Sequence, residues 1–260
     1  QDYTAYFNSF PPNQIEKWLE LYSHRFQNPV FRLFQSELET VYEEKNIYMD
    51  NPLNIVIEEI LKNVFKNHPY GQQSVLGKVE HLKNPSLEKM YKFYKDYYVP
   101  NNMVLALSGD FDSEKIIPII NEKFKNWKSG KIPKFPEYKE EPFNKREFFE
   151  KKLTPIKMGA LVVRSPKNGD LDKIKFDMAL QTLYNYEETG FLNKLRDEGK
   201  LMDSGLLKFE NNDHGATLIY FIPKLIGQKL NAAEKIIKNQ IKKLKKGDFS
   251  EDFVEALKIN

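Results

Sequence analysis

Residues 85–112 read PSLEKMYKFYKDYYVPNNMVLALSGDFD, and this stretch decides the fold class. Pro85-Ser86 is a helix-opening pair, and the apolar residues that follow recur at helical spacing over residues 86–97. A Pro-Asn-Asn turn then leads into Met103–Ser108, a short apolar run typical of a buried strand. A helix, a turn and a strand in so few residues predict an α+β fold with helices layered on a sheet.

The same order of elements recurs in both halves of the chain. The pattern predicts two similar layered domains, each an antiparallel-type sheet with helices packed on one side, and the first truncated at its N-terminus. Strands are predicted at 2–10, 103–108, 157–164, 203–210 and 214–222. Helices are predicted at 13–27, 33–49, 52–66, 86–97, 113–126, 172–185, 190–198 and 228–246, with a last one capped by Ser250-Glu251-Asp252.

A stretch typical of a linker separates the two halves. Residues 128–147 hold three prolines among Lys and Glu and show little apolar periodicity. We therefore expect residues 1–127 to form the remainder of a first domain. Residues 148–260 should form a second domain, cut short at its C-terminus.

Composition limits the classes of function. Of 260 residues, 40% are hydrophobic and 30% charged, which is typical of a globular protein with a highly charged surface. The 40 basic residues against 37 acidic ones give no case for nucleic-acid binding. The absence of cysteine excludes disulfides, thiolate metal sites and cysteine nucleophiles. No apolar run is long enough for a membrane span.

One run of charge stands out, between residues 235 and 246. It holds six lysines, and its apolar residues fall at helical spacing. This pattern favours the solvated face of an amphipathic helix. The alternative is a patch that binds a membrane or nucleic acid.

The predicted helix 33–49 carries two acids on one face. Glu37 and Glu44 are seven residues apart, which is about two helical turns, so the two carboxylates point the same way. Val41 lies between them on a partly apolar face, where buried carboxylates would need a positive partner such as a metal ion. Glutamate-rich helices are also common without any function, so spacing alone leaves both interpretations open.

The histidines offer no obvious metal site. A zinc site usually takes at least three protein ligands, and no two of the four histidines form a His-x-x-x-His pair. Each is therefore interpreted as a surface or turn residue: His24, His68, His81 and His214. Nucleophile-elbow, phosphate-loop and dinucleotide motifs are also absent from the sequence.

Several blocks in a fixed order nevertheless resemble the pitrilysin/insulinase family of zinc metallopeptidases, the inverzincins. The matching stretch covers most of residues 2–126. Its blocks are Asp2-Tyr3-Thr4, Phe26–Phe31, Glu37-x-x-x-Val41-x-x-Glu44, His68-Pro69-Tyr70-Gly71 and, most specifically, Phe93–Phe111. The second half resembles the family's next domain more loosely, through Gly190-Phe191-Leu192 and Leu195–Glu198. The tyrosine that family members often place after this arginine has no counterpart here.

The resemblance implies a role for each glutamate. Glu44 would be the third zinc ligand, and Glu37 the carboxylate that helps orient the site. The family's two histidine ligands and its general-base glutamate lie in a His-x-x-Glu-His segment, and no such segment occurs among these 260 residues. We therefore expect the chain alone to be inactive and to bind zinc poorly, although the full-length parent would use zinc.

Three interpretations follow. The first is a fragment of a zinc metalloendopeptidase that cleaves peptides or unfolded polypeptides, working with the second half of the parent or a partner subunit. The second is a non-catalytic family member that serves as chamber wall, assembly partner or peptide-binding module. The third, an unrelated interaction module, is disfavoured by the ordered blocks. Apolar surface left exposed by truncation would favour self-association, and bacterial members of the family are often extracytoplasmic, which favours the periplasm.

Overall fold

The computed structural model describes residues 2–152 and 155–259. Its longer helices agree with the predicted ones to within about two residues at most ends, because apolar periodicity and capping residues are local signals. The helices are α1 (Ile15–Gln27), α2 (Phe34–Asp50), α3 (Pro52–Val64), α4 (Pro69–Gln72), α5 (Val79–Lys83), α6 (Leu87–Tyr97), α7 (Ser113–Phe124), α8 (Lys173–Leu183), α9 (Phe191–Asp197), α10 (Leu230–Lys246) and α11 (Glu251–Ile259). The strands are β1 (Gly159–Ser165), β2 (Asp203–Phe209) and β3 (Gly215–Ile222).

These elements form two compact units that interleave along the sequence. Unit 1 comprises residues 1–3, 51–72 and 140–260, and unit 2 comprises residues 4–50 and 73–139. The change of unit at Lys139–Glu140 falls inside the predicted linker, residues 128–147. The sequential division into domains 1–127 and 148–260 stays a prediction.

Unit 1 is built on the antiparallel sheet, in the order β1-β3-β2. The central strand β3 is buried over almost its whole length, because its neighbours cover both edges and helices cover its faces. On one face, Phe221 and Ile219 pack with Leu192 and with Ile237 of α10. On the other, Ala216 and Leu218 pack with Ile60, Val64 and Phe65 at the end of α3. The sheet therefore lies between helices.

The basic run predicted as one face of a helix lies on α10. Ala233 and Ile237 are fully buried on its inner side, and the lysines are exposed on the other. Three of them stand in the last turn, where positive charge complements the helix dipole. Within the described residues, no helix combines the length and apolar character that crossing a membrane requires.

Unit 2 is helical, with a small core in which Ile15 and Leu19 of α1 pack on Ile116 of α7. The predictions of strands at 2–10 and 103–108 are wrong for this structure, since neither segment is assigned as a strand. Alternating Tyr, Thr and Phe favour an extended backbone, but a strand also needs a hydrogen-bonded neighbour. No such ladder is formed by the described residues of either segment.

Candidate functional site

The predicted zinc ligand Glu44 and the predicted orienting carboxylate Glu37 lie where their spacing places them, two turns apart on α2. Both Glu37 and Glu44 are exposed to solvent. The charged side chain that α2 does bury is Lys45, whose Nζ donates to Ser74 Oγ at 3.1 Å. Because the two carboxylates remain in water, they carry no burial cost that a metal ion would have to offset.

The described residues do not make a complete zinc site. Zinc usually takes three or more protein ligands. No group of three His, Asp or Glu side chains within residues 2–152 and 155–259 is placed to hold a metal ion. At most, α2 can contribute one part of a site.

A large groove lies beside α2 in unit 2, with a volume of about 1020 Å³. Aromatic rings line much of it, including Phe26 near the end of α1, Phe31 between α1 and α2, and Tyr94 of α6. Helix α2 contributes Phe34 and Leu38. Its charged lining is basic, from Arg25 and Lys89, and its described lining residues include no Asp or Glu. The groove therefore suits an apolar occupant that carries negative charge.

Two tyrosines of the groove, Tyr94 and Tyr98, have raised pKa values. Burial raises the pKa of Tyr94 to about 12, and its hydroxyl donates to the Phe26 carbonyl at 3.1 Å. Burial, followed by a hydrogen bond with Tyr6, raises the pKa of Tyr98. The hydroxyls of Tyr6 and Tyr98 lie 2.7 Å apart. Because their pKa values are raised, the phenols of Tyr94 and Tyr98 stay protonated near neutral pH, and neither can act as a base there.

Unit 1 contains a hydrogen-bonded cluster around His68 that the sequence did not predict. His68 is fully buried, not a surface residue. Its Nδ1 accepts a hydrogen bond from the Tyr70 amide at 3.1 Å, which leaves Nε2 to donate to Asp213 Oδ2 at 3.2 Å. The Tyr70 hydroxyl donates to Asp2 at 2.5 Å, and the Asn212 amide donates to the other oxygen of that carboxylate.

Glu140 holds the same loop from the other side. Its side chain is 2% exposed, and Oε1 accepts from the amides of Asn67 and His68, both at 2.7 Å. Oε2 accepts from the Lys66 amide at 3.1 Å and from Arg164 at 3.1 Å. These acids and bases hydrogen-bond to one another, so the cluster fixes the His68 loop onto the sheet of unit 1.

Comparison with known proteins then gives the family. A sequence profile described as the peptidase M16 inactive domain matches residues 85–260, more than half of the chain. The chain belongs to this family. The match confirms the resemblance to pitrilysin-like zinc peptidases and includes the Phe93–Phe111 block.

Relatives of this M16 chain carry names of zinc proteases. It is 32% identical to the uncharacterized zinc protease YmfH of Bacillus subtilis, over 63% of the chain and 37% of that protein. It is 23% identical to the zinc protease PqqE of Helicobacter pylori, over 100% of the chain and 60% of that protein. The M16 chain thus spans less than two thirds of the length of either relative.

A solved structure supports the fold. The crystal structure of a protease from Helicobacter pylori matches 96% of the M16 chain and 61% of its own, with a TM-score of 0.82 and 22% identity. At this identity the likeness establishes the fold alone. It confirms the α+β class expected from the sequence.

Proposed function

We propose that this chain is the part of an M16 zinc metalloendopeptidase that supplies the glutamate helix, and that it lacks the histidine ligands and the general base. The observation that carries the proposal is the Glu37/Glu44 pair on one exposed face of α2, in a chain that belongs to the M16 family. In this proposal Glu44 is the third zinc ligand, and Glu37 orients the site. Zinc would activate water toward a peptide carbonyl in the complete enzyme.

The groove beside α2 supports this proposal. Because α2 contributes Phe34 and Leu38 to the groove wall, a polypeptide segment bound there would lie along the helix that carries both glutamates. A helix with side chains is about 10 Å across, and the groove volume of about 1020 Å³ accommodates such a segment. The occupant in this proposal is the histidine-bearing segment of a longer parent or of a partner subunit. The substrate would be an extended peptide held against a sheet edge.

The test uses the 260-residue chain alone and then with a second polypeptide that carries His-x-x-Glu-His. Alone, the chain should neither cleave an unstructured fluorogenic peptide nor retain stoichiometric zinc by elemental analysis, because one or two carboxylates do not make a site. With the second polypeptide, zinc and chelator-sensitive cleavage should appear.

Glu44→Gln should abolish the zinc gained with the second polypeptide. Glu43→Gln is the matched control, since Glu43 directly precedes Glu44 on α2, is also exposed, and lies off the Glu37/Glu44 face. Equal zinc content in the two variants would refute the role of Glu44. Stoichiometric zinc in the chain alone would refute the proposal that its site is incomplete.

A second candidate function is a non-catalytic wall of the peptidase chamber, or a module for assembly or peptide binding. The observation that favours it is the family match itself, which is to the inactive domain and covers residues 85–260 rather than α2. Binding of an unstructured peptide, unchanged in Glu44→Gln and without cleavage in any mixture, would support this function over the first.

A further inference from the structure

A small cavity lies between α8 and the sheet of unit 1. Its walls include Lys173, Asp177 and Phe176 of α8, Lys208 of β2 and Thr217 of β3. The space open to the centre of a water-sized molecule is about 10 Å³. This is close to the smallest volume that holds one water molecule.

Thr217 is one of the residues that line this cavity. Thr217 is 1% exposed and stands in the middle strand, opposite Lys208 on β2 and Val163 on β1. Its Oγ1 has no hydrogen-bond partner among the described residues. Buried hydroxyls are nearly always satisfied, since leaving one unpaired lowers stability.

Four other lining residues of the cavity form a closed ring of four ion pairs. Lys173 Nζ lies 2.7 Å from Asp177 Oδ2 and 2.5 Å from Glu210 Oε1. Lys208 Nζ lies 3.1 Å from Asp177 Oδ1 and 3.3 Å from the same Glu210 oxygen. Two lysines and two carboxylates sum to no formal charge, so the cavity does not favour an anion or a cation.

We propose that this cavity is a binding site for one ordered water molecule, which hydrogen-bonds to Thr217 Oγ1 and to the ion-pair ring. The partners match what water needs, because a buried water usually makes about three hydrogen bonds. Lys173 can donate three hydrogen bonds, of which two go to Asp177 and Glu210. The carboxylate oxygens provide acceptors. The water thereby connects α8 and β2 to the central strand.

A crystal structure at a resolution that shows ordered solvent tests the proposal directly. The wild-type chain and Thr217→Ser, which keeps a hydroxyl, should each show one solvent peak within hydrogen-bonding distance of the residue-217 oxygen. Thr217→Val, which has nearly the same shape without the hydroxyl, should lose that peak. An empty cavity in the wild type, or a metal or halide identified there by anomalous scattering, would overturn the proposal.

The folding equilibrium of Thr217→Val gives a second test in solution. If water satisfies the hydroxyl, valine removes a hydrogen-bonded group, and the folding equilibrium constant should stay the same or fall. If the hydroxyl were unsatisfied, valine would remove that penalty, and the constant would rise on the order of tenfold. A rise of that size in denaturant unfolding would refute the water site.

Discussion

At the scale of single residues, His68 shows what the sequence could not reveal. Its motif His68-Pro69-Tyr70-Gly71 is typical of an exposed loop, yet the imidazole is fully buried. Burial depends on Asp213 and Glu140, which lie 145 and 72 residues away along the chain. Local pattern carries no information on such distant partners, so the interpretation of His68 as a surface or turn residue was wrong. Helix α4, which begins at Pro69, was not predicted either.

Replacing His68 should therefore lower stability markedly. His68→Ala removes a fully buried ring and leaves the Tyr70 amide without its acceptor, so we expect a loss of about 2–4 kcal/mol in the free energy of unfolding. Denaturant unfolding followed by circular dichroism measures the loss. His24→Ala is the control, because His24 is exposed and should change stability by less than about 0.5 kcal/mol. Equal stability of the two variants would contradict the structural role of His68.

The ion-pair ring beneath α8 makes stability depend on acid pH. The hydrogen bond from Lys173 lowers the pKa of Glu210, the largest of several effects on that group. For Asp177, burial raises the pKa, but hydrogen bonds from Lys173 and Lys208 outweigh it, and the net shift is downward. A carboxylate with a lowered pKa contributes stability above its unfolded pKa, about 4, and loses that contribution as pH falls through its folded value.

The unfolding free energy should accordingly fall as pH drops below about 4.5. Glu210→Gln should flatten that dependence, because the uncharged amide no longer titrates. Glu16→Gln, at an exposed position of α1, should leave the slope close to that of the wild type. Thermal melts from pH 3 to 7 give the comparison, and an unchanged slope in Glu210→Gln would contradict the role assigned to the ring.

At the scale of elements, the longer helices were predictable, whereas two of the five predicted strands were wrong. Helix ends carry their own signals: Ser86 accepts from the Lys89 amide and Asp112 from the Glu114 amide, at the starts of α6 and α7. Strands β2 and β3 of unit 1 were predicted because the turn residues Asn211-Asn212-Asp213 separate two apolar runs. Residues 2–10 and 103–108 have strand composition but no ladder, and composition alone cannot supply a neighbour.

The cap of α6 can be tested by itself. Ser86→Ala removes the acceptor for the Lys89 amide, which lies 3.2 Å from the serine oxygen, and should cost about 1 kcal/mol of stability. Ser86→Asp should keep most of it, since aspartate is an equally good cap. Ser129→Ala, in an exposed loop of unit 2, is the matched control. If both alanine variants unfold at the same denaturant concentration, the cap contributes nothing measurable.

At the scale of the whole molecule, the candidate site could be placed only in part. Spacing alone placed Glu37 and Glu44 on one face of α2. Their proposed roles in a zinc site came from the order of the family's sequence blocks along the chain. The groove beside α2 could not be predicted, because it is formed by side chains from helices that are far apart in sequence. Its aromatic and basic lining is a property of the folded unit.

Unit 2 exposes apolar side chains that favour self-association. Val104 is 94% exposed within residues 103–108, where the backbone forms no ladder, and Leu33 of the same unit is 76% exposed. An extended segment of this kind can pair with another chain, and a lysine on it opposes such pairing. We expect the wild-type chain to associate as concentration rises, and Val104→Lys to weaken that association by about tenfold, which is 1.4 kcal/mol.

Sedimentation velocity over a hundredfold range of concentration would measure this. Ile226→Lys is the control, because Ile226 is 91% exposed but lies in a turn of unit 1, so the added charge is the same and the location differs. Association that weakens equally in both variants would show that net charge governs it. A wild-type chain that stays monomeric would show that the exposed segment does not pair. Weakening in Val104→Lys alone would locate the contact at residues 103–108.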